Sequence, residues 1–183
     1  MSRLLCLTCA ILLAGCNPWT LNSMTDGAPL VAEPALEGTW LAGNEVYDIR
    51  PAEAAGVYRI VGVTREEVFI LEGRLIRLGG RLVLEVRHHP EGLVIGDVGG
   101  GFAHQFFYQV VVEPGRDTAW VWTLDEQRLE QFLAVTGTPH ARMTDGNHLV
   151  LTGDPAALRA FLTRAMTEPG LLERSDEPMV RVR

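Results

Sequence analysis

Val68-Phe69-Ile70-Leu71-Glu72-Gly73-Arg74-Leu75-Ile76-Arg77-Leu78-Gly79-Gly80-Arg81-Leu82-Val83-Leu84-Glu85-Val86-Arg87 is the stretch that decides the fold class. Two runs of strand character flank a pair of glycines. The second run alternates, with Leu82, Leu84 and Val86 on one face and Arg81, Glu85 and Arg87, together with Val83, on the other. A strand sends successive side chains to opposite sides, so this is a strand with one apolar face. Both glycines can take positive φ, as the tight primed turns require. The stretch is therefore expected to form an antiparallel hairpin.

Downstream, His88 to Gly101 reads as a loop with Pro90 and the run Gly99-Gly100-Gly101. A glycine cluster cradles phosphate where a helix N-terminus follows it. Strand character follows here instead, from Phe102 to Tyr108, so a loop or strand bulge is the reading. A second hairpin is expected from Gln105–Glu113 and Thr118–Leu124 across Pro114-Gly115. Phe106, Tyr108, Val110 and Val112 share one face, and Trp120, Trp122 and Leu124 share one face of the partner strand. If these faces coincide they form the largest aromatic surface of the chain, as core packing or as the wall of an apolar pocket. The period then changes. Thr123-x-x-Glu126 reads as a capping box, and Leu129, Phe132 and Leu133 fall at helical spacing, which predicts a helix over about Glu126 to Val135. His140–Thr144 and Asn147–Thr152 are strand-like around the turn pair Asp145-Gly146. Asp154 as N-cap and Pro155 at the first helical position open a last helix, with Leu158, Phe161, Leu162 and Ala165 as its buried stripe. Met179 to Val182 reads as a short edge strand.

Upstream, Val57–Thr64 is another strand, and the folded domain begins at Leu36-Glu37-Gly38-Thr39-Trp40. Gly38-x-Trp40 resembles the signature that opens the lipocalin barrel. That resemblance implies a tryptophan plugging one end of an eight-stranded barrel. The expected fold is mainly β, a β-rich α+β chain. It is an antiparallel bent sheet or partly open lipocalin-like barrel of about seven or eight strands. One helix is inserted late, and one near the C-terminus covers the sheet or plugs an opening. The alternative is an α+β roll with both helices on one sheet face.

The N-terminus carries an address. Arg3 and the amino group precede an apolar run, Leu4 to Leu13, that fits a signal peptide and is shorter than the roughly 20 residues of a spanning helix. Leu13-Ala14-Gly15-Cys16 resembles the lipobox of bacterial lipoproteins. The resemblance implies that residues 1–15 are removed and that Cys16 is acylated. Several acyl chains at one cysteine would hold a domain on a membrane almost permanently, since each buried CH₂ contributes roughly 0.8 kcal/mol. Asn17 follows, where an aspartate resembles the inner-membrane retention signal of enteric-type bacteria. This favours an outer membrane facing the periplasm. Residues 16–36, rich in Pro, Ser, Thr, Asn and Gly, are expected to be a lipidated flexible tether, with residues 37–183 as a single domain.

Removal of fifteen residues leaves 168 of the 183 and takes away Arg3, so the net charge of −7 becomes −8. An acidic chain argues against nucleic acid as a partner. Cys6 and Cys9 leave with the signal peptide, so no disulfide is expected and packing must stabilise the domain. There is no lysine. No HExxH, CxxC or Gly-x-Ser-x-Gly occurs, and no catalytic residue, cofactor or metal is assigned. His88 and His89 are adjacent and diverge on a strand, which makes no natural metal pair, although together with Glu85 or Asp97 they could hold a surface metal. His104, His140 and His148 stand alone. The leading expectation is a non-enzymatic envelope lipoprotein that binds an apolar small molecule or a partner protein, with Trp40, Tyr108, Trp120 and Trp122 as the candidate ligand-binding side chains. The rival is a periplasmic hydrolase whose carboxylates meet only in space.

Overall fold

Gly79 and Gly80 both take positive φ, 56° and 82°, and the strands either side pair from Leu71↔His88 to Leu78↔Arg81. The hairpin is as expected. A computed structural model of the chain describes residues 18–65, 67–89, 107–143 and 149–182. Its elements are β1 (Trp19–Thr20), a 3₁₀ turn (Pro34–Leu36), β2 (Gly38–Ala42), β3 (Glu45–Pro51), β4 (Val57–Val63), β5 (Val68–Leu78), β6 (Arg81–His88), β7 (Phe107–Pro114), β8 (Thr118–Leu124), α1 (Glu126–Thr136), β9 (His140–Arg142), β10 (Leu149–Leu151), α2 (Pro155–Ala165), β11 (Leu172–Arg174) and β12 (Met179–Arg181). The lipobox with Cys16, the glycine run 99–101, His104, His148 and the Asp145-Gly146 turn lie outside the described residues.

Strands β2 to β8 follow one another antiparallel, and β12 pairs with both β8 and β2. This closes an eight-stranded barrel, in agreement with the lipocalin-like expectation. Met179–Arg181 is thus the closing strand and not an edge, because it fills the gap that the seven-strand meander leaves. A side sheet of β1, β10 and β9 continues from β7, and β11 pairs with the far half of β8.

Alternation splits the apolar residues into two cores. Leu71, Leu75, Leu84, Val110 and Val121 point into the barrel. Ile76, Val83, Val111 and Leu124 point outward and meet Leu129, Leu133, Leu158 and Phe161 of the helices. Val83 is 0% exposed and Glu85 1%, so the face of β6 that reads as polar is covered too. The helices begin on local signals. Asp154 accepts from the Ala157 N–H, and Asp125 accepts from the Gln127 and Arg128 N–H groups. Asp125 replaces the expected Thr123 as cap, because Thr123 is held in β8 opposite Glu173.

The stretch read as a tether is partly built into the fold. Trp19 and Thr20 pair with β7 and β10, Met24 is buried in the outer core, and Leu36 is buried in the barrel. The reason is Glu85. Its carboxylate accepts hydrogen bonds from Ser23 Oγ (2.6 Å), the Met24 N–H (2.7 Å) and Thr25 Oγ1 (3.0 Å).

Candidate functional site

The Gly-x-Trp pair has a local physical purpose. Trp40 is 0% exposed and its indole N–H donates to the Leu36 carbonyl at 2.8 Å. The Arg181 guanidinium lies 4.3 Å from the Trp40 ring centre. It donates to the Ala35 carbonyl (2.7 Å), the Arg116 carbonyl (2.8 Å) and the Glu37 carbonyl. Gly38 sits at φ 134°, and a Cβ there would collide with Arg181 Nη1. The glycine clears the space in which Arg181 reaches the 3₁₀ turn and seals the barrel beside the tryptophan.

The interior above Trp40 holds a cavity of about 30 Å³ walled by apolar surface, from Ile49, Ile60, Leu84, Val110 and Ala119 among others. By volume that is room for a water or two, but apolar walls keep such a space dry. Drug-sized ligands occupy roughly 300–1,000 Å³. The barrel is filled by its own side chains. A polar pair lies within the barrel, beside the β2–β3 turn. Tyr47 Oη donates to Glu45 Oε2 at 2.5 Å, and Phe69 packs edge-on to Tyr47 at 6.2 Å between ring centres. Burial pushes the Glu45 carboxyl above the ordinary glutamate value, the Tyr47 hydrogen bond opposes this, and the charge of Glu67 adds to the rise.

The four candidate ligand-binding residues are not brought together. Trp40 lines the cavity. Trp120 and Trp122 lie on the outside, since Ala119 and Val121 are the inward residues of β8. The pairing explains why. Trp122 stands opposite Val111 and Trp120 opposite Glu113, whereas inward Val112 stands opposite Val121. The tryptophans therefore share a face with Val111 and not with Val110 and Val112, and the two aromatic faces do not coincide. Arg174 covers both, 4.0 Å from the Trp120 ring centre and 5.7 Å from that of Trp122. Tyr108 pairs with Val86 and Trp19 through its backbone, and its side chain lies outside the described residues. His88 and Glu85 are on opposite faces of β6, which separates them as ligands. Among the described residues no group of three His, Cys, Asp or Glu could hold a metal ion.

What sequence reasoning missed is a row on the side of the barrel that neither described helix covers. Val180 pairs with Leu41, Leu41 with Val46, Val46 with Val63 and Val63 with Val68. Residues directly opposite share a face, so five aliphatic side chains from five strands lie side by side. Val180 is 47% exposed, Leu41 41% and Val63 42%. The signal was present, an apolar residue at one outward position of each strand, but only the register lines them up. Among the described residues, no helix is long and apolar enough to cross a membrane. Comparison with protein-family models, with curated proteins and with solved structures finds no match to this chain.

Proposed function

We propose that this is an envelope lipoprotein, acylated at Cys16, that works by binding a partner protein on the outside of its barrel. The observation that carries the reading is the row Val180–Leu41–Val46–Val63–Val68 beside a filled interior. The binding of an apolar small molecule, expected from the sequence as an equal alternative, fits less well, because about 30 Å³ is too small for one. An apolar strip rimmed by charge, here Asp48, Arg50 and Arg59, is the usual form of a protein contact. The occupant is a protein with a matching aliphatic surface, on the periplasmic side of the outer membrane.

The test is the size of the assembly in gently solubilised membranes. The wild-type chain should sediment as part of a complex well above its 20.1 kDa. Leu41→Glu with Val63→Glu should sediment alone while keeping the native circular dichroism, since exposed substitutions typically change stability by about 0.5 kcal/mol or less. A wild-type chain that sediments alone would overturn the reading.

One observation favours the rival hydrolase. At one end of the barrel burial raises the Glu45 carboxyl, with the charge of Glu67 adding to the rise, and an upward shift is the direction a general acid needs. Turnover of an envelope ester or glycan that Glu45→Gln abolishes would support that reading and sink the binding one.

A further inference from the structure

We infer that β1 turns the N-terminal lipid into a short leash, so that the surface around Trp19 and Leu21 rests on the lipid headgroups. This goes beyond the acylation of Cys16 proposed above and rests on it.

The argument begins with chain length. A free tether from Cys16 to Glu37 would reach about 70 Å at full extension. Among the described residues the first strand instead starts at Trp19, whose ladder joins β7 on one side and β10 on the other. Three residues span at most roughly 11 Å. The headgroup layer on each side of a bilayer is about 5–8 Å thick. An acylated Cys16 therefore leaves Trp19 within, or just above, that layer.

The strap after β1 cannot easily lengthen the leash. The Leu21 N–H donates to the Leu151 carbonyl at 3.0 Å, and Asn22 Nδ2 to the Gly153 carbonyl at 2.9 Å. Glu85 holds Ser23, Met24 and Thr25, and Arg159 Nη1 donates to the Met24 carbonyl at 2.7 Å and the Asp26 carbonyl at 3.0 Å. Peeling these residues away would break three hydrogen bonds to a carboxylate.

The side chains at the leash suit a lipid surface. Leu21 is 50% exposed and Trp19 is half-buried. Tryptophan is favoured at the membrane–water boundary because its ring is apolar and its N–H is polar. The other end of β7, at Pro114-Gly115, lies about 25 Å away along the strand and points to the periplasm. The domain then stands with one fixed end toward the membrane, so the apolar row meets a partner in a set orientation.

The test uses the full acylated chain in vesicles of phosphatidylethanolamine and phosphatidylglycerol that carry a quencher on the headgroup. No cysteine follows Cys16, so Leu21→Cys and Arg116→Cys each give one labelling site. A fluorophore at position 21 should be quenched several-fold more than one at position 116. Insertion of about twenty Gly-Ser residues after Asn17, roughly 25 Å as a flexible coil, should bring position 21 down to the level of position 116. Equal quenching at both sites without the insertion, on a chain whose mass shows the lipid, overturns the leash and leaves the anchor standing. A mass showing a free Cys16 thiol overturns the anchor, and the leash with it.

Discussion

Arg181 closes the barrel through one side chain. It joins β12 to β2 by stacking on Trp40 and by donating to carbonyls of Ala35, Glu37 and Arg116. Arg181→Ala should cost about 2–4 kcal/mol, from a lost cation–π contact and carbonyls left without a donor. Arg181→Lys should recover little, since an ammonium holds its three donors on one nitrogen, whereas Arg181 reaches the carbonyls from Nε, Nη1 and Nη2. Urea midpoints of the three proteins measure this. Glu45 gives a pH dependence of known sign. Burial, above all, raises its carboxyl above the ordinary value of 4.5. The protonated form is thus favoured in the folded chain, and its contribution is full below that value and is lost as pH rises through the raised one. Glu45→Gln stays neutral and still accepts from Tyr47. Its melting temperature should match wild type in acid and exceed it toward neutral pH, with the gap opening from 4.5 upward. A gap that opens on the acid side would refute the account.

At the scale of elements, β1 and its strap act as a piece of the core and not as a spacer. Met24 is 1% exposed, Leu30 bridges to Ile76, and the Val31 N–H donates to the Leu75 carbonyl at 2.9 Å. A chain that starts at Pro34 loses the burial of Met24 and leaves Glu85 without its three partners from residues 23–25. These losses come to about 3–6 kcal/mol from apolar burial and from the hydrogen bonds to a carboxylate that are given up. Such a chain should unfold at a clearly lower urea concentration than one that starts at Asn17. Equal midpoints would mean that the strap is only laid on the surface.

For the whole molecule, β5 to β8 matter most, because each sends side chains into both cores. One face lines the barrel and the other carries the helices, so neither core can open without exposing the other. Tryptophan fluorescence, which reports on Trp40 and β8, should therefore report the same unfolding transition as the helical far-ultraviolet signal. Helices that melt first would show that the outer core is a separate unit. The chain from Asn17 onward has no cysteine, so reductant should leave this transition unmoved.

Local chemistry made much of this readable in the sequence. The two glycines at 79 and 80 announce their turn, alternation announces the strands, and Asp154-Pro155 announces α2, because each acts over a few residues of one segment. The Gly38-x-Trp40 pair pointed to a barrel end. Registers, however, are relations between segments. A shift of one residue put Trp120 and Trp122 outside the barrel and assembled Val180, Leu41, Val46 and Val63 into one row. The Glu85 clasp joins residues about sixty positions apart, and Arg181 reaches back across almost the whole domain. Such long-range partners leave no periodic trace, so the closure, the filled interior and the strap were decided only when the strands met.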